Sequence, residues 1–113
     1  MYIEDYSFGR MVIEGQSYSS DLLICDDKIK ANWWREEGHN LSLADLRWVL
    51  KQDPDVLIIG NGKSGVMTVP QDLQQQLKSE VDLIVEKTAQ AVKTFNQQQE
   101  NNLTVAAGFH LTC

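Results

Sequence analysis

Gly60, Asn61, Gly62, Lys63 and Ser64 follow directly on the apolar run Val56–Ile59, and Gly65 closes the segment. Glycines in such a turn let the main chain take positive φ and approach a ligand closely. A run without polar alternation reads as a strand buried on both faces. The carboxyl end of such a strand is where open α/β sheets bind ligands. These five residues are therefore candidates for an anion or small-molecule pocket built from convergent N–H groups. Gly60, Gly62 and Gly65 match G-x-G-x-x-G, with Glu86 at the end of the following strand. A dinucleotide site needs the third glycine inside a helix that opens on the pyrophosphate. Here the β-branched stretch Val66-Met-Thr-Val-Pro70 intervenes, and the helix starts too late. Gly62-Lys63-Ser64 also imitates the end of a phosphate-binding P-loop, but that pattern needs glycine at position 57, which is leucine.

Trp33-Trp34-Arg35-Glu-Glu-Gly-His39 is the second dense cluster. If the strand persists, the two tryptophans point to opposite faces, one inward and one outward. Trp34, Arg35 and His39 then line a pocket or meet a partner; the plainer alternative is a tryptophan under its own arginine stem with a surface histidine. Trp48 falls off the apolar stripe of its helix and is a candidate partner-surface residue. Cys25, His39, His110 and Cys113 supply zinc-ligand types, but no C-x-x-C or H-x-x-x-H pairs them. A nucleophilic set of Ser64, a His39 or His110 base and an Asp45 orienter lacks the G-x-S-x-G frame. No metal, cofactor or catalytic residue is expected.

The elements that must position these residues change character along the chain. Arg10–Glu14 and Tyr18–Cys25 read as strands separated by a turn at Gly15-Gln16. Lys28–Trp34 alternates, with Ile29, Ala31 and Trp33 on one face, as a half-buried antiparallel strand does. Ser42 caps a helix whose stripe is Leu43, Leu46, Val49 and Leu50, with Asp45 at the positive end of its dipole. Asp53-Pro54 stops it. A β-α-β-α-β rhythm follows: Val56–Ile59, a short helix after Pro70 with Leu73 and Leu77 inward, Val81–Val85, a helix capped by Thr88 with Ala91, Val92 and Phe95 on one face, and Leu103–Phe109. Such alternation implies largely parallel pairing and right-handed crossovers.

At 113 residues the chain forms one domain, 1–113, able to bury about two-thirds of its unfolded surface without staples. The net charge of −6 argues against nucleic acid and anionic membrane surfaces. No apolar run approaches the roughly 20 residues of a membrane span. The opening Met-Tyr-Ile-Glu-Asp-Tyr resembles neither signal nor transit peptide. Two cysteines make no disulfide framework, and a cytoplasmic address follows.

In order along the chain, Tyr18, Trp33 or Trp34, Gly38-His39, Ser42-Leu-Ala-Asp-Leu46, Pro54, Leu57-Ile-Ile-Gly-Asn-Gly62, Val69-Pro70, Thr88 to Asn96, Val105-Ala-Ala and His110-Leu-Thr-Cys113 resemble a small family of domains of unknown function. That family spans bacterial and archaeal proteins, the mitochondrial respiratory complex I assembly factor 3 and an adipogenesis-associated protein. The most specific segment is Thr88-Ala-Gln-Ala-Val-Lys-Thr-Phe-Asn96. Bacterial members often carry Cys-Arg where this chain has Val92-Lys93. The resemblance implies a three-layer α/β fold: a central mixed sheet with helices on one face and a smaller β-hairpin layer on the other. It carries no catalytic residue over, and its mitochondrial member works by protein–protein contact.

The expectation is thus a non-enzymatic accessory or assembly domain with an unidentified protein partner. The alternative is a small-molecule or anion binder, an unrecognised enzyme included, working at the glycine turn. A homo-oligomer is the plainer third option.

Overall fold

The computed structural model describes residues 1–113. The chain runs β1 (Ile3–Ser7), β2 (Arg10–Ile13), β3 (Gln16–Tyr18), β4 (Leu22–Cys25), β5 (Lys28–Ala31), a 3-10 turn (Leu43–Leu46) leading into α1 (Arg47–Leu50), β6 (Val56–Asn61), α2 (Gln71–Lys78), β7 (Asp82–Glu86), α3 (Thr88–Gln98) and β8 (Val105–His110). β1–β3 form a three-stranded antiparallel sheet, and the other strands form a five-stranded sheet in the order β5-β4-β8-β6-β7. Within it β6 is parallel to β7 and β8, while β4 is antiparallel to β8 and β5.

The central strands behave as their apolar runs demand. β4 and β8 are buried at every position, and β6 at all but Asn61. Alternate residues feed two cores. Ile58, Ala107 and Phe109 join one, with Ile3, Met11 and Ile13 of the small sheet and Ala91 and Phe95 of α3. Leu57, Ile59 and Ala106 join the other, with Leu46, Val49, Leu73 and Leu77.

The fold is the expected three-layer α/β arrangement, with one difference in the division of layers. α3 shares its face with the small sheet, while α1 and α2 cover the opposite face. Right-handed crossover explains it. The β6-α2-β7 connection moves outward along the sheet, and β7-α3-β8 moves back across β6. A right-handed connection travelling the other way lands on the other face.

Local differences have similar causes. Tyr18–Cys25 is two strands in two sheets, broken at Ser19–Asp21. β5 ends at Ala31, since Asn32 turns with φ of 56°. Leu43 is 37% exposed instead of joining the stripe. The helix opens with a 3-10 turn over Leu43–Leu46, and its first residue stays at the surface while Leu46 and Val49 are buried.

α3 buries Thr88, Ala91, Val92 and Phe95, one face at helical spacing. Phe95 meets Phe109 edge to face at 5.9 Å. Asn96 ties the helix to the small sheet: its Oδ1 accepts from Ile3 N and its Nδ2 donates to Ile3 O, both at 2.9 Å. The side-chain amide thereby imitates a neighbouring strand. No helix is long and apolar enough to cross a membrane. Asn96→Ala should cost about 1–3 kcal/mol in urea unfolding, since it strands both main-chain groups of Ile3. The Ile3 amide should exchange faster while amides of β8 keep their protection relative to global stability; an unchanged Ile3 would refute the tie.

Candidate functional site

Polar groups concentrate at the carboxyl ends of β6 and β8. Asp21, in the connection from β3 to β4, is their centre. Its Oδ1 accepts the Leu111 amide at 2.7 Å. Its Oδ2 accepts from Arg35 Nη2 and meets His110 Nδ1, each at 2.7 Å. A carboxylate oxygen offers only lone pairs, so Nδ1 is the protonated nitrogen of that ring. Arg35 Nε and Nη2 also donate to Gly38 O at 3.2 and 2.9 Å. The guanidinium lies 4.6 Å from the centre of the Trp33 ring. Trp33 is itself anchored by Nε1 donating to Asp45 O at 2.9 Å, and its ring lies over Gly108 with no room for a side chain there. His39 meets His110 edge to face at 5.3 Å.

Arg35 and His110 are 9% and 4% exposed, so this is an ion cluster inside the protein. Burial alone would raise the pKa of Asp21. Hydrogen bonds from His110, the Leu111 amide and Arg35 outweigh that and hold the carboxyl below its ordinary value. Nearby Tyr6 donates to Leu111 O at 2.9 Å. Burial, then the Asp21 charge, push its phenol upward. Three buried polar atoms have no partner: Arg35 Nη1, His110 Nε2 and Asn61 Oδ1. Asn61 and His110 are direct neighbours across β6 and β8.

Thr88 locks the same end of the sheet. It is the first helical residue, not the cap expected from sequence; the cap position is Lys87. Its hydroxyl donates to His110 O at 2.7 Å and accepts from Gly62 N at 2.9 Å, joining β6, α3 and β8.

The structure brings several of the sequence candidates together. Arg35 and His39 reach His110, and His110 borders Gly62, where a Cβ would lie 3.0 Å from its Cδ2. Gly60 is buried and Asn61 half-buried, while Lys63 and Ser64 are exposed. The amides of the turn do not look into an empty hollow. Lys63 N donates to Thr112 O at 2.7 Å, and Ser64 N and Val66 N donate to Cys113 O at 3.2 and 3.0 Å.

Trp33 and Trp34 do part company, at 5% and 76% exposure, although β5 has already ended. Trp48, expected as an exposed ring, is half-buried against the second core. With Trp34 it lines a surface hollow of about 450 Å³, together with Trp33, Lys30, Glu36 and Arg47.

Other combinations are not assembled. The Asp45 carboxylate accepts from Ser42 N at 2.9 Å, and the acid beside His110 is Asp21. Cys25 pairs across to Ala106, a full strand length from His110. No group of His, Cys, Asp and Glu is arranged to hold a metal ion. Asp21 is the residue that sequence reasoning missed. Its signal was position: an acid directly before Leu22–Cys25, a stretch buried on both faces, has little water to turn to.

Because the folded pKa of Asp21 is depressed, its contribution to stability is complete above the ordinary carboxylate pKa of about 4. It is lost as pH falls through the lower folded value. Asp21→Asn should flatten the fall in stability below that pH, measured by urea unfolding across the acid range. At neutral pH the same change should cost about 3–5 kcal/mol, because Arg35 is left buried without its counter-charge. A variant as stable as the parent at neutral pH would remove the cluster from the stability argument.

A family model described as proteins of unknown function, DUF498/DUF598, matches residues 3–110. A conserved hypothetical protein from Pyrococcus horikoshii superposes with a TM-score of 0.83 at 24% identity, covering 100% of both chains. A protein described as an outer membrane protein from Bartonella henselae gives 0.81 at 23% identity, covering 98% of this chain and 94% of that one. A Rhodopseudomonas palustris protein gives 0.75 at 27% identity over 95% and 80% of the two chains. The match takes in the ion cluster, the glycine turn and the aromatic hollow, all of which lie within or beside residues 3–110. This chain belongs to the DUF498/DUF598 family of proteins of unknown function.

Proposed function

We propose that this chain is a non-enzymatic, cytoplasmic accessory domain that binds another protein through the hollow flanked by Trp34 and Trp48. One observation carries the reading: Trp34, 76% exposed, stands at a hollow that also takes in the side chains of Trp33 and Trp48. A large exposed ring is costly in water, and a partner that covers it gains a hot-spot contact. Lys30, Arg47 and Glu36 around the hollow offer both signs of charge for orientation. The ring is also presented rigidly, because Trp33 and Arg35 on either side of it are buried. Little side-chain or loop order is then left to be lost on binding.

The groups that could serve catalysis support this reading by their engagement. His110 and Asp21 hold each other and Arg35, and Asp45 holds the start of its own helix. Trp34→Ala should leave the fold intact, since the ring has few contacts to lose, and should abolish recovery of a specific partner in affinity capture from the native cell. Trp48→Ala should weaken capture and also lower stability. Equal recovery by wild type and Trp34→Ala would refute the reading. Mass in solution distinguishes a foreign partner from a second copy, which would appear as a dimer that Trp34→Ala dissociates.

A further inference from the structure

The large sheet ends in β5 on one side and β7 on the other, and the two edges differ. β5 carries the exposed Lys28 and Lys30, the kind of charged guard that keeps a sheet edge from pairing. In the small sheet β3 spans only three residues, and Asn96 occupies the main-chain groups of Ile3 in β1. β7 has no such device along its centre. Leu83, Ile84 and Val85 run apolar and half-buried between Asp82 and Glu86. A strand in a parallel pair bonds its neighbour through every second residue. Asp82 N donates to Asp55 O at 3.0 Å, so Asp82, Ile84 and Glu86 face β6. Leu83 and Val85 then turn their main-chain N–H and C=O groups along the open edge.

A hollow of about 330 Å³ lies at the start of this edge, lined by Leu50, Asp53, Pro54, Glu80 and Val81. Leu50, Pro54 and Val81 give it an apolar wall. Asp53 and Glu80 are exposed, and neither forms an ion pair. An apolar wall that ends at two carboxylates suits the methylene stem and charged head of an arginine or lysine. A second copy of the chain fits this edge poorly. Two-fold pairing of β7 with itself about Ile84 sets Asp82 opposite Glu86 on both sides of the axis, and like charges so placed oppose it.

We propose that β7 accepts an extended basic segment of another protein as a further strand of the large sheet, with one arginine or lysine side chain of that segment in the hollow between Asp53 and Glu80. Main-chain bonds to Leu83 and Val85 supply affinity, and the acids select the partner's charge. This surface shares no residue with the tryptophan hollow, so the two readings stand or fall separately.

The probe is a blocked peptide of alternating valine and arginine, long enough to span β7, titrated into the intact chain and followed by amide resonances and hydrogen exchange. The Leu83 and Val85 amides should shift saturably and exchange more slowly, with the Ile84 amide, which faces β6, as internal control. A peptide with glutamate in place of arginine should bind about tenfold more weakly. Asp53→Asn combined with Glu80→Gln, both at exposed positions, should weaken the arginine peptide about fivefold. Val85→Pro should abolish binding, because it removes an outward N–H at a place where an edge strand tolerates proline. If Leu83 and Val85 keep their shifts and exchange rates, the edge takes no strand and the inference falls. Equal binding by a peptide N-methylated at alternate residues reduces the contact to charge and overturns the pairing. Protection of both amides in the peptide-free chain, with doubled mass in solution, assigns the edge to a second copy and overturns the choice of occupant.

Discussion

A single carboxylate organises the polar end of this molecule. Asp21 takes hydrogen bonds from Arg35 in the segment after β5, from His110 at the end of β8 and from the Leu111 amide beyond it. Those donors come from either side of β4, which pairs with β5 on one edge and with β8 on the other. Buried ion pairs contribute modestly to net stability, because desolvation offsets most of the attraction. Their effect here is positional. With Arg35 fixed, the chain around Trp33 and Trp34 cannot rotate, so one ring stays in the core and the other in water. With the Leu111 amide fixed, residues 112–113 are directed along the glycine turn. The Trp34 ring and the glycine turn both inherit their geometry from this acid.

Much of the architecture was legible because burial leaves a strong mark on composition. Val56–Ile59 and Leu103–Phe109 read as doubly buried strands, and β6 and β8 are the two central neighbours of the large sheet. The Thr88, Ala91, Val92, Phe95 face was equally plain. The side on which α3 packs was not legible. It follows from β8 inserting between β4 and β6, a choice of strand order that no local pattern encodes. Thr88 shows the same limit at the scale of one residue. Its position at a helix start suggests a cap, yet its hydroxyl is engaged by Gly62 and His110, distant in sequence.

The site divides along the same line. Arg35, His39 and the glycine turn stand out by residue type, and the fold places Arg35 and His39 against His110, at the border of that turn. Asp21 was not found, because all of its partners are remote in sequence and Ser19-Ser20-Asp21 reads as part of one continuous strand, Tyr18–Cys25. Of the two outer tryptophans, Trp34 lies outside as expected and Trp48 does not. A stripe drawn at 3.6 residues per turn put Trp48 outside, but the segment starts as a 3-10 turn and settles Trp48 half onto the core. The alternation of Trp33 and Trp34 survived the end of β5, because Trp33 is pinned over Gly108 and by its bond to Asp45.

The glycine turn joins these two lessons. Convergence of amides is a property of the local backbone, set by φ at Gly62 and Gly65, and it could be suspected from glycine spacing alone. What the amides converge on is a property of topology. β8 runs beside β6, and the residues after it reach the turn with carbonyl oxygens facing the donors. Here the donors are met by the chain's own residues 112–113. Their anchor is the Leu111 amide on Asp21, supported by the Tyr6 hydroxyl on Leu111 O. Protonating Asp21 weakens that anchor and so loosens residues 112–113 against the turn.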